Sequence, residues 1–441
     1  MMDSLKTAKK VYLIGIGGIG ISSLARMLLH NGVEVQGVND SESPETLNEL
    51  RNIGVKIDLY DCDNHDSLPV MPRDTDFFIY SVAWEDRGPK MLEAARSTGK
   101  PVLNYFEALG ELSRTYKTIA ISGTHGKTTT TAMLAYVLKE TSVNPTAVVG
   151  SLVNFGDGKR TNFLPGGDEY LVVEACEYKR HFQYFKPHIF VITNIELDHV
   201  DYYKDLPDVQ DAFKTVVANS HMIVCDAEDE TVAPVIKDAE AKVIDVAAYR
   251  KSVPELKVIG EHNKENAALV LAVADILKVQ IKQAQEALKS FSGTWRRLEY
   301  KGETKETNGG VHVYDDYAHH PTEIKASIKA VRDKHKDSEI IAIFEPHMYS
   351  RTKALLSGFA TAFADADKVI IAPIYAARED SDGVTSAESL SAEIGKHHSD
   401  VSWTKTLKEI PTFLSNVKKG SVLLFMGAGD IYKIADLVIK Q

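Results

Sequence analysis

The run Gly123-Thr124-His125-Gly126-Lys127-Thr128-Thr129 carries the clearest chemistry in the chain. It follows a short apolar stretch, Ile119 to Ile121, and precedes a helical pattern through Met133, Leu134 and Leu138. A strand, a glycine turn and Gly-Lys-Thr at a helix mouth make a phosphate cradle, because unpaired backbone N–H groups converge there and the helix dipole favours an anion. Lys127 is expected along the β- and γ-phosphates of ATP, with the Thr128 hydroxyl toward Mg2+. The spacing departs from the full phosphate-loop pattern, since Ile121 stands where its first glycine belongs.

A second glycine run, Gly15-Ile16-Gly17-Gly18-Ile19-Gly20, follows the apolar residues Val11 to Ile14. After it come a helical pattern (Ile21, Leu24, Met27, Leu28) and a strand expected over residues 33–38, ending at Asn39-Asp40. An acid about twenty residues beyond such glycines is the arrangement of dinucleotide folds. Gly15, Gly17, Gly18 and Gly20 let the backbone approach a pyrophosphate, and Asp40 is placed to reach a ribose or base edge. The pattern does not choose among nucleotides, and a tight turn without a ligand is the plain alternative. A strand expected over residues 77–82 puts Ser81 at the same sheet edge.

Further apolar runs end in polar clusters, as strands of a doubly wound sheet do at their ligand edge. Residues 170–173 lead into Glu174-Ala175-Cys176-Glu177, where Glu174 is placed to hold Mg2+ and Cys176 reads as packing. Residues 189–193 lead into Asn194-Ile195-Glu196-Leu197-Asp198-His199. A helix expected over residues 263–276 has Asn263 and Asn266 about its first turn; an N-cap role for Asn263 is the simpler reading, and paired amides on a purine edge the functional one. The adjacent Arg296 and Arg297 follow what reads as a linker, and guanidinium groups there suit a phosphate. Four later runs end in Asp315-Asp316-Tyr317, in Glu345-Pro346-His347-Met348-Tyr349-Ser350-Arg351, in Tyr375-Ala376-Ala377-Arg378 and in Gly427-Ala428-Gly429-Asp430. His347 with Arg351 suits a carboxylate.

These elements need α/β architecture in three domains: a Rossmann-like domain at residues 1–113, a central phosphate-loop domain at 114–295 and a doubly wound Rossmann-like domain at 296–441. The length of 441 residues agrees. A formal charge of −11 argues against general attraction to nucleic acid or membrane. The three cysteines, Cys62, Cys176 and Cys225, lie far apart, which fits a reducing compartment. The apolar residues 11–29 are broken by four glycines and Arg26, so they do not read as a membrane span. No signal peptide is read, and a cytoplasmic protein without membrane insertion is expected.

Taken in order, GIGGIG, SGTHGKTTTT, EACEY, NIELDH, GEHNKENA, GTWRRLE, DDYAHHPTE, EPHMYSRT and GAGDI closely resemble the motifs of the Mur ligases of peptidoglycan synthesis, over nearly the whole chain. The resemblance is to alanine-adding members. It implies that the first domain binds the UDP of UDP-N-acetylmuramate through Gly15, Gly17, Gly18, Ile19, Gly20, Asp40 and Ser81. ATP would convert the lactyl carboxylate to an acyl phosphate, which the amine of L-alanine attacks. By the same resemblance, residues 123–129 and Arg297 meet the phosphates, Asn263 and Asn266 the adenine, and an aspartate of the pair Asp315-Asp316 the nucleotide. Thr128, Glu174 and His199 would serve metal sites, and His125, His347 and Arg351 the substrates. The chain departs from relatives at EACEY, where a second acid is missing or moved, and at Met348, where some carry Arg. Lys214 lies at about the separation from His199 at which sister ligases carry a carbamylated lysine. The alternatives are a ligase that attaches a tripeptide to the same sugar, a nicotinamide-dependent oxidoreductase, and a nucleotide-binding regulator. A monomer or weak homodimer is expected.

Overall fold

The computed structural model describes residues 5–62, 68–304, 310–377, 379–414 and 417–440; Arg378, quoted above, lies outside the described residues. Among the described residues the strands form three sheets. The first holds β1 (Lys10–Ile14), β2 (Glu34–Asn39), β3 (Lys56–Leu59), β4 (Phe77–Tyr80) and β5 (Val102–Asn104), all parallel, in the order β3-β2-β1-β4-β5. The second holds β6 (Lys117–Ser122), β7 (Thr146–Asn154), β8 (Arg160–Leu164), β9 (Tyr170–Glu174), β10 (Ile189–Ile192), β11 (Met222–Cys225) and β12 (Lys242–Asp245). Its order is β12-β11-β10-β6-β9-β7-β8, parallel except for the β7–β8 hairpin. The third holds β13 (Glu299–Glu303), β14 (His312–Asp316), β15 (Ile340–Glu345), β16 (Lys368–Ile371), β17 (Val401–Trp403) and β18 (Val422–Gly427), in the order β13-β14-β18-β15-β16-β17. Only β13 runs antiparallel to its neighbour among these described strands.

Parallel strands are joined by crossovers that cover both faces, so their sequences become continuous apolar runs. β4 (FFIY) and β10 (IFVI) are buried at every residue. In the third sheet the period of two divides one strand between two cores. Ile340, Ala342 and Phe344 of β15 join Leu424, Phe359 and Phe363 on one face. Ile341 and Ile343 join Leu423, Phe425 and Ile431 on the other. No helix of the described residues is long and apolar enough to cross a membrane.

In each sheet the strand that precedes a glycine-bearing loop has neighbours on both sides. β1 lies between β2 and β4, β6 between β10 and β9, and β18 between β14 and β15. In the first two sheets strand order reverses there, which leaves a crevice beyond the carboxyl ends; β18, the last of the described strands, is inserted between β14 and β15.

By contact the chain forms two compact units: Met1–Ile195, Val209–Ser252 and Ala268–Ala287 make one, and Glu196–Asp208, Val253–Ala267 and Leu288–Gln441 the other. The first therefore contains two sheets. In it, His181 stacks on Phe106 with ring centroids 4.1 Å apart and planes 12° from parallel.

Several element ends differ from expectation. β4 stops at Tyr80, because Ser81 starts a turn in which the Trp84 N–H donates to the Ser81 carbonyl at 2.8 Å. The helix expected from Asn263 begins at Glu261, so Asn263 is inside the first turn and not its N-cap. Its amide donates to the Ile259 carbonyl at 2.7 Å, a bond back to the chain before the helix.

Burial, with Lys179 nearby, pushes His181 down to about 4. Its folded value thus lies below the unfolded value of about 6.5, so the unfolded chain binds the extra proton between these limits. The stabilisation is complete above about pH 6.5 and is lost as pH falls toward about 4, by on the order of 2 kcal/mol. In urea titrations at pH 7 and 4.5, His181→Phe is expected to lose less stability than the unaltered chain by that amount. Equal losses in both proteins would contradict it.

Candidate active site

The phosphate loop leaves β6 at Ser122 and is shaped by two glycines with left-handed φ, +138° at Gly123 and +81° at Gly126. A side chain at Gly123 would collide with Thr193 Oγ1. The end of β10 grips this loop. Asn194 Oδ1 accepts the His125 N–H at 2.9 Å, and Asn194 Nδ2 donates to the His125 carbonyl at 3.0 Å. The Asn194 carbonyl accepts the Thr124 N–H at 3.1 Å. Sequence reasoning quoted Asn194 within a motif but gave it no role; its only signal was its place at a strand end.

The helix Lys127–Glu140 starts directly on this loop, with Gly126 at its N-cap and no acid in its first turn. Gly126 has no side chain to offer the orphan N–H groups, so they are left to an anion. The helices after Asn104, His320 and Ser386 carry capping boxes instead. Lys127 Nζ donates to the carbonyls of Gly123 and Thr124 and pairs with Glu177 at 3.0 Å. Burial lowers the ammonium's pKa, but Glu177, Cys176 and Glu174 outweigh it and leave the value raised, so Lys127 is cationic. Glu177 is 2% exposed. It is the second acid of the EACEY motif, three residues after Glu174, and sequence reasoning gave it no role.

Register in the second sheet puts Glu174 beside Ile121 at the end of β6. Thr128 Oγ1 donates to Glu174 Oε1 at 3.0 Å, and the Gly150 N–H donates to Glu174 Oε2 at 3.0 Å. A hydroxyl and a carboxylate at this separation make a hard oxygen pair that fits Mg2+. A side chain at Gly150 would strike the carboxylate. Burial pushes the Cys176 thiol up to about 12, so it stays neutral, in keeping with packing. Lys214 is on the exposed face of Leu206–Val217, away from the buried Val209, Phe213 and Val216.

The first sheet repeats this plan. Gly15 has φ +79°, and Gly18 is the N-cap of the helix Ile19–His30, whose first turn has no acid. The Gly17 N–H donates to Asn39 Oδ1 at 2.9 Å, and Thr46 Oγ1 donates to the Gly17 carbonyl at 2.6 Å. Asn39, 4% exposed, thus holds the loop, while its neighbour Asp40 pairs with Arg87 at 3.1 Å. The Ser81 N–H donates to the Ile14 carbonyl at 2.9 Å, which keeps Ser81 at the end of β1. Gly20 packs against Tyr105.

In the second unit, Asp198 collects the cations. Arg351 Nε lies 3.1 Å from Asp198 Oδ1, and the His199 N–H donates to the same oxygen at 2.7 Å. Burial opposes the charge of Asp198, but His199, Arg351 and His319 outweigh it and hold the carboxyl far below the usual range. Arg351 also meets His347 Nδ1 at 3.0 Å, and His347 stacks on Tyr375. Burial pushes His319 down to about 4. His199 itself has φ 52°, and Met348, 3% exposed, has φ 68°. Asn266 donates to Asn263 at 3.3 Å, so the paired amides are joined and buried on one helix face.

The two adjacent arginines divide. Arg296, 5% exposed, donates to the carbonyls of Gly429 at 3.1 Å and Gly427 at 2.5 Å, lies 3.5 Å from Asp315 and covers Tyr432. The expectation of a phosphate clamp made by both is corrected: Arg296 is consumed in anchoring the start of the third sheet. Arg297 stacks over Tyr317, 4.9 Å from its centroid. Asp315 faces Arg296, and burial pushes its carboxyl up to about 7; Asp316 accepts from Ser327. Glu345 accepts the Ile431 N–H at 3.0 Å and is likewise pushed by burial up to about 7.

A phosphate loop on the centre of one doubly wound sheet, with glycine-bearing crevices on two more, defines a three-sheet α/β nucleotide-using enzyme. The chain belongs to the Mur ligase family. Family models match in succession: the Mur ligase family catalytic domain over residues 10–117, the Mur ligase middle domain over 121–255, and the Mur ligase glutamate ligase domain over 296–429. A UDP-N-acetylmuramate–L-alanine ligase of Clostridium acetobutylicum is 36% identical, with 98% of each chain covered. One of the same name from Clostridium novyi is 37% identical, covering 98% of this chain and 97% of its own. The crystal structure of a UDP-N-acetylmuramate-alanine ligase from Thermotoga maritima superimposes with a TM-score of 0.79 at 28% identity over 98% of both chains.

Removing the Asn194 side-chain amide breaks two loop hydrogen bonds, those to the N–H and the carbonyl of His125, and leaves only the main-chain bond to Thr124. Asn194→Ala is therefore expected to weaken ADP binding about tenfold or more. Isothermal titration calorimetry checks this, and unchanged affinity would refute the clamp.

Proposed function

We propose that this protein joins L-alanine to the lactyl carboxylate of UDP-N-acetylmuramate at the expense of ATP, a cytoplasmic step in building peptidoglycan precursors for the cell wall. The observation that carries the reading is the phosphate loop held between Glu174 and Asn194 at the centre of its sheet, in a chain related along 98% of its length to ligases of that name. The three-domain division at 1–113, 114–295 and 296–441 assigns UDP-sugar, ATP and amino acid in that order. The protein acts as a monomer or weak homodimer.

The carboxylate oxygen attacks the γ-phosphorus, the bond to the bridging oxygen breaks, and ADP leaves. The amine of L-alanine then attacks the acyl carbon, loses a proton, and phosphate departs with one former carboxylate oxygen. Backbone N–H groups at the mouth of the helix Lys127–Glu140 hold the transferred phosphoryl group, and Lys127 offsets its charge. Arg297 offers a further cation, held over Tyr317. Thr128, Glu174 and His199 are the groups that would hold Mg2+, which supplies charge neutralisation among the crowded oxygens. Asn263 and Asn266 bind adenine, and Asp316 supports that nucleotide. His347 and Arg351 receive the α-carboxylate of alanine, for which Arg351 exchanges its present partner Asp198.

Phosphate release with ATP and UDP-N-acetylmuramate should depend on L-alanine, with other amino acids and the murein tripeptide as comparisons. Dependence on the tripeptide would reassign the protein to recycling, and tight NADH binding in place of UDP binding would make it an oxidoreductase. Oxygen-18 placed in the lactyl carboxylate should appear in the released phosphate; its absence would rule out the acyl phosphate. Lys127→Ala should lower the rate at least about a hundredfold.

A further inference from the structure

The helix that follows the first glycine run is held from behind by a side chain of the second sheet. Asn162, on β8, has no exposed surface. Its Nδ2 donates to the Ile19 carbonyl at 2.7 Å and to Ser22 Oγ at 2.8 Å. Ser22 Oγ in turn donates to the Ile19 carbonyl at 3.0 Å, and Ser23 Oγ donates to the Gly20 carbonyl at 2.5 Å. The carbonyl side of the first turn is thus anchored by buried donors, which in a low dielectric fix its position tightly. Its N–H groups face the glycine run, where Gly18 supplies no capping side chain.

The hairpin that carries Asn162 has a second attachment. β7 pairs with β8 through Ala147 with Leu164 and Val153 with Thr161. Between those pairs β7 carries Gly150, whose N–H holds Glu174. One hairpin therefore meets both the carboxylate beside the phosphate loop and the helix behind the glycine run.

We propose that Asn162 is a positioning residue for the UDP-sugar site: it sets the depth and tilt of the helix Ile19–His30, so that the first-turn N–H groups stay aligned on a diphosphate. Asn162 touches neither substrate. This rests on the first domain binding UDP-N-acetylmuramate.

The test uses the full chain with Asn162→Ala and Asn162→Asp, the second keeping the shape but removing both donors. UDP and ADP binding are measured by calorimetry, and KM for each substrate and kcat by phosphate release. Both variants should raise the Kd for UDP and the KM for UDP-N-acetylmuramate about tenfold, with ADP binding and the KM for ATP within about twofold. Unchanged UDP affinity overturns the proposal, and so does an equal weakening of UDP and ADP, which is the signature of general loosening. A variant that binds neither nucleotide counts as the latter. Failure of the unaltered protein to bind UDP would instead remove the underlying reading, and it is seen before any variant is made.

Discussion

A phosphate group bound without a dedicated side chain for each oxygen needs backbone N–H groups that nothing else has satisfied. Folded chains seldom leave such groups unpaired. Here the loop leading to the helix mouth is held by partners outside it. Asn194 takes both the N–H and the carbonyl of His125, and Thr193 adds its hydroxyl to that carbonyl. The loop is rigid through the end of β10, and the mouth of Lys127–Glu140 is left to an anion. Glu174 and Glu177 depend on the same arrangement, since each is oriented by a loop or helix group, Thr128 and Lys127.

The first sheet solves the same problem with different residues. Asn39 does for Gly17 what Asn194 does for His125: an amide at the end of a neighbouring strand pins one loop peptide. In both cases the neighbour reaches the loop only because parallel strands end at the same level on either side of the central one. The third sheet uses the edge otherwise. Arg296 fills the space beyond β14 and β18, and the buried Asp315 and Glu345 have carboxyls raised to about 7 around it. That edge is built for anchorage of the entering chain, which leaves Arg297 as the presented cation.

The cations of the second unit show how a buried guanidinium is kept in order. Arg351 is planar and buried, and a guanidinium without a partner there would be costly. Asp198 and His347 satisfy it, and Tyr375 fixes the ring of His347 by stacking.

Much of this protein was legible in its residues. The apolar runs had the length and continuity of parallel strands, each ending in polar residues, so the α/β class and the position of the ligand edge followed from periodicity. Gly123 and Gly126 before Lys127-Thr128 named the phosphate site because the backbone there needs left-handed φ and a helix mouth, both local properties. The ordered motifs added the family. What tertiary structure alone decided are the partners distant in sequence. Nothing local distinguishes Arg296 from Arg297, or marks Asn39, Asn194 and Glu177 above other polar residues near strand ends. Their roles arise from strand order and register, which bring Gly17 to Asn39, His125 to Asn194, and Asn162 to Ile19. A hydrogen bond across 22, 69 or 143 residues leaves no periodic trace in the chain, because only the closed sheets create the distance that makes it.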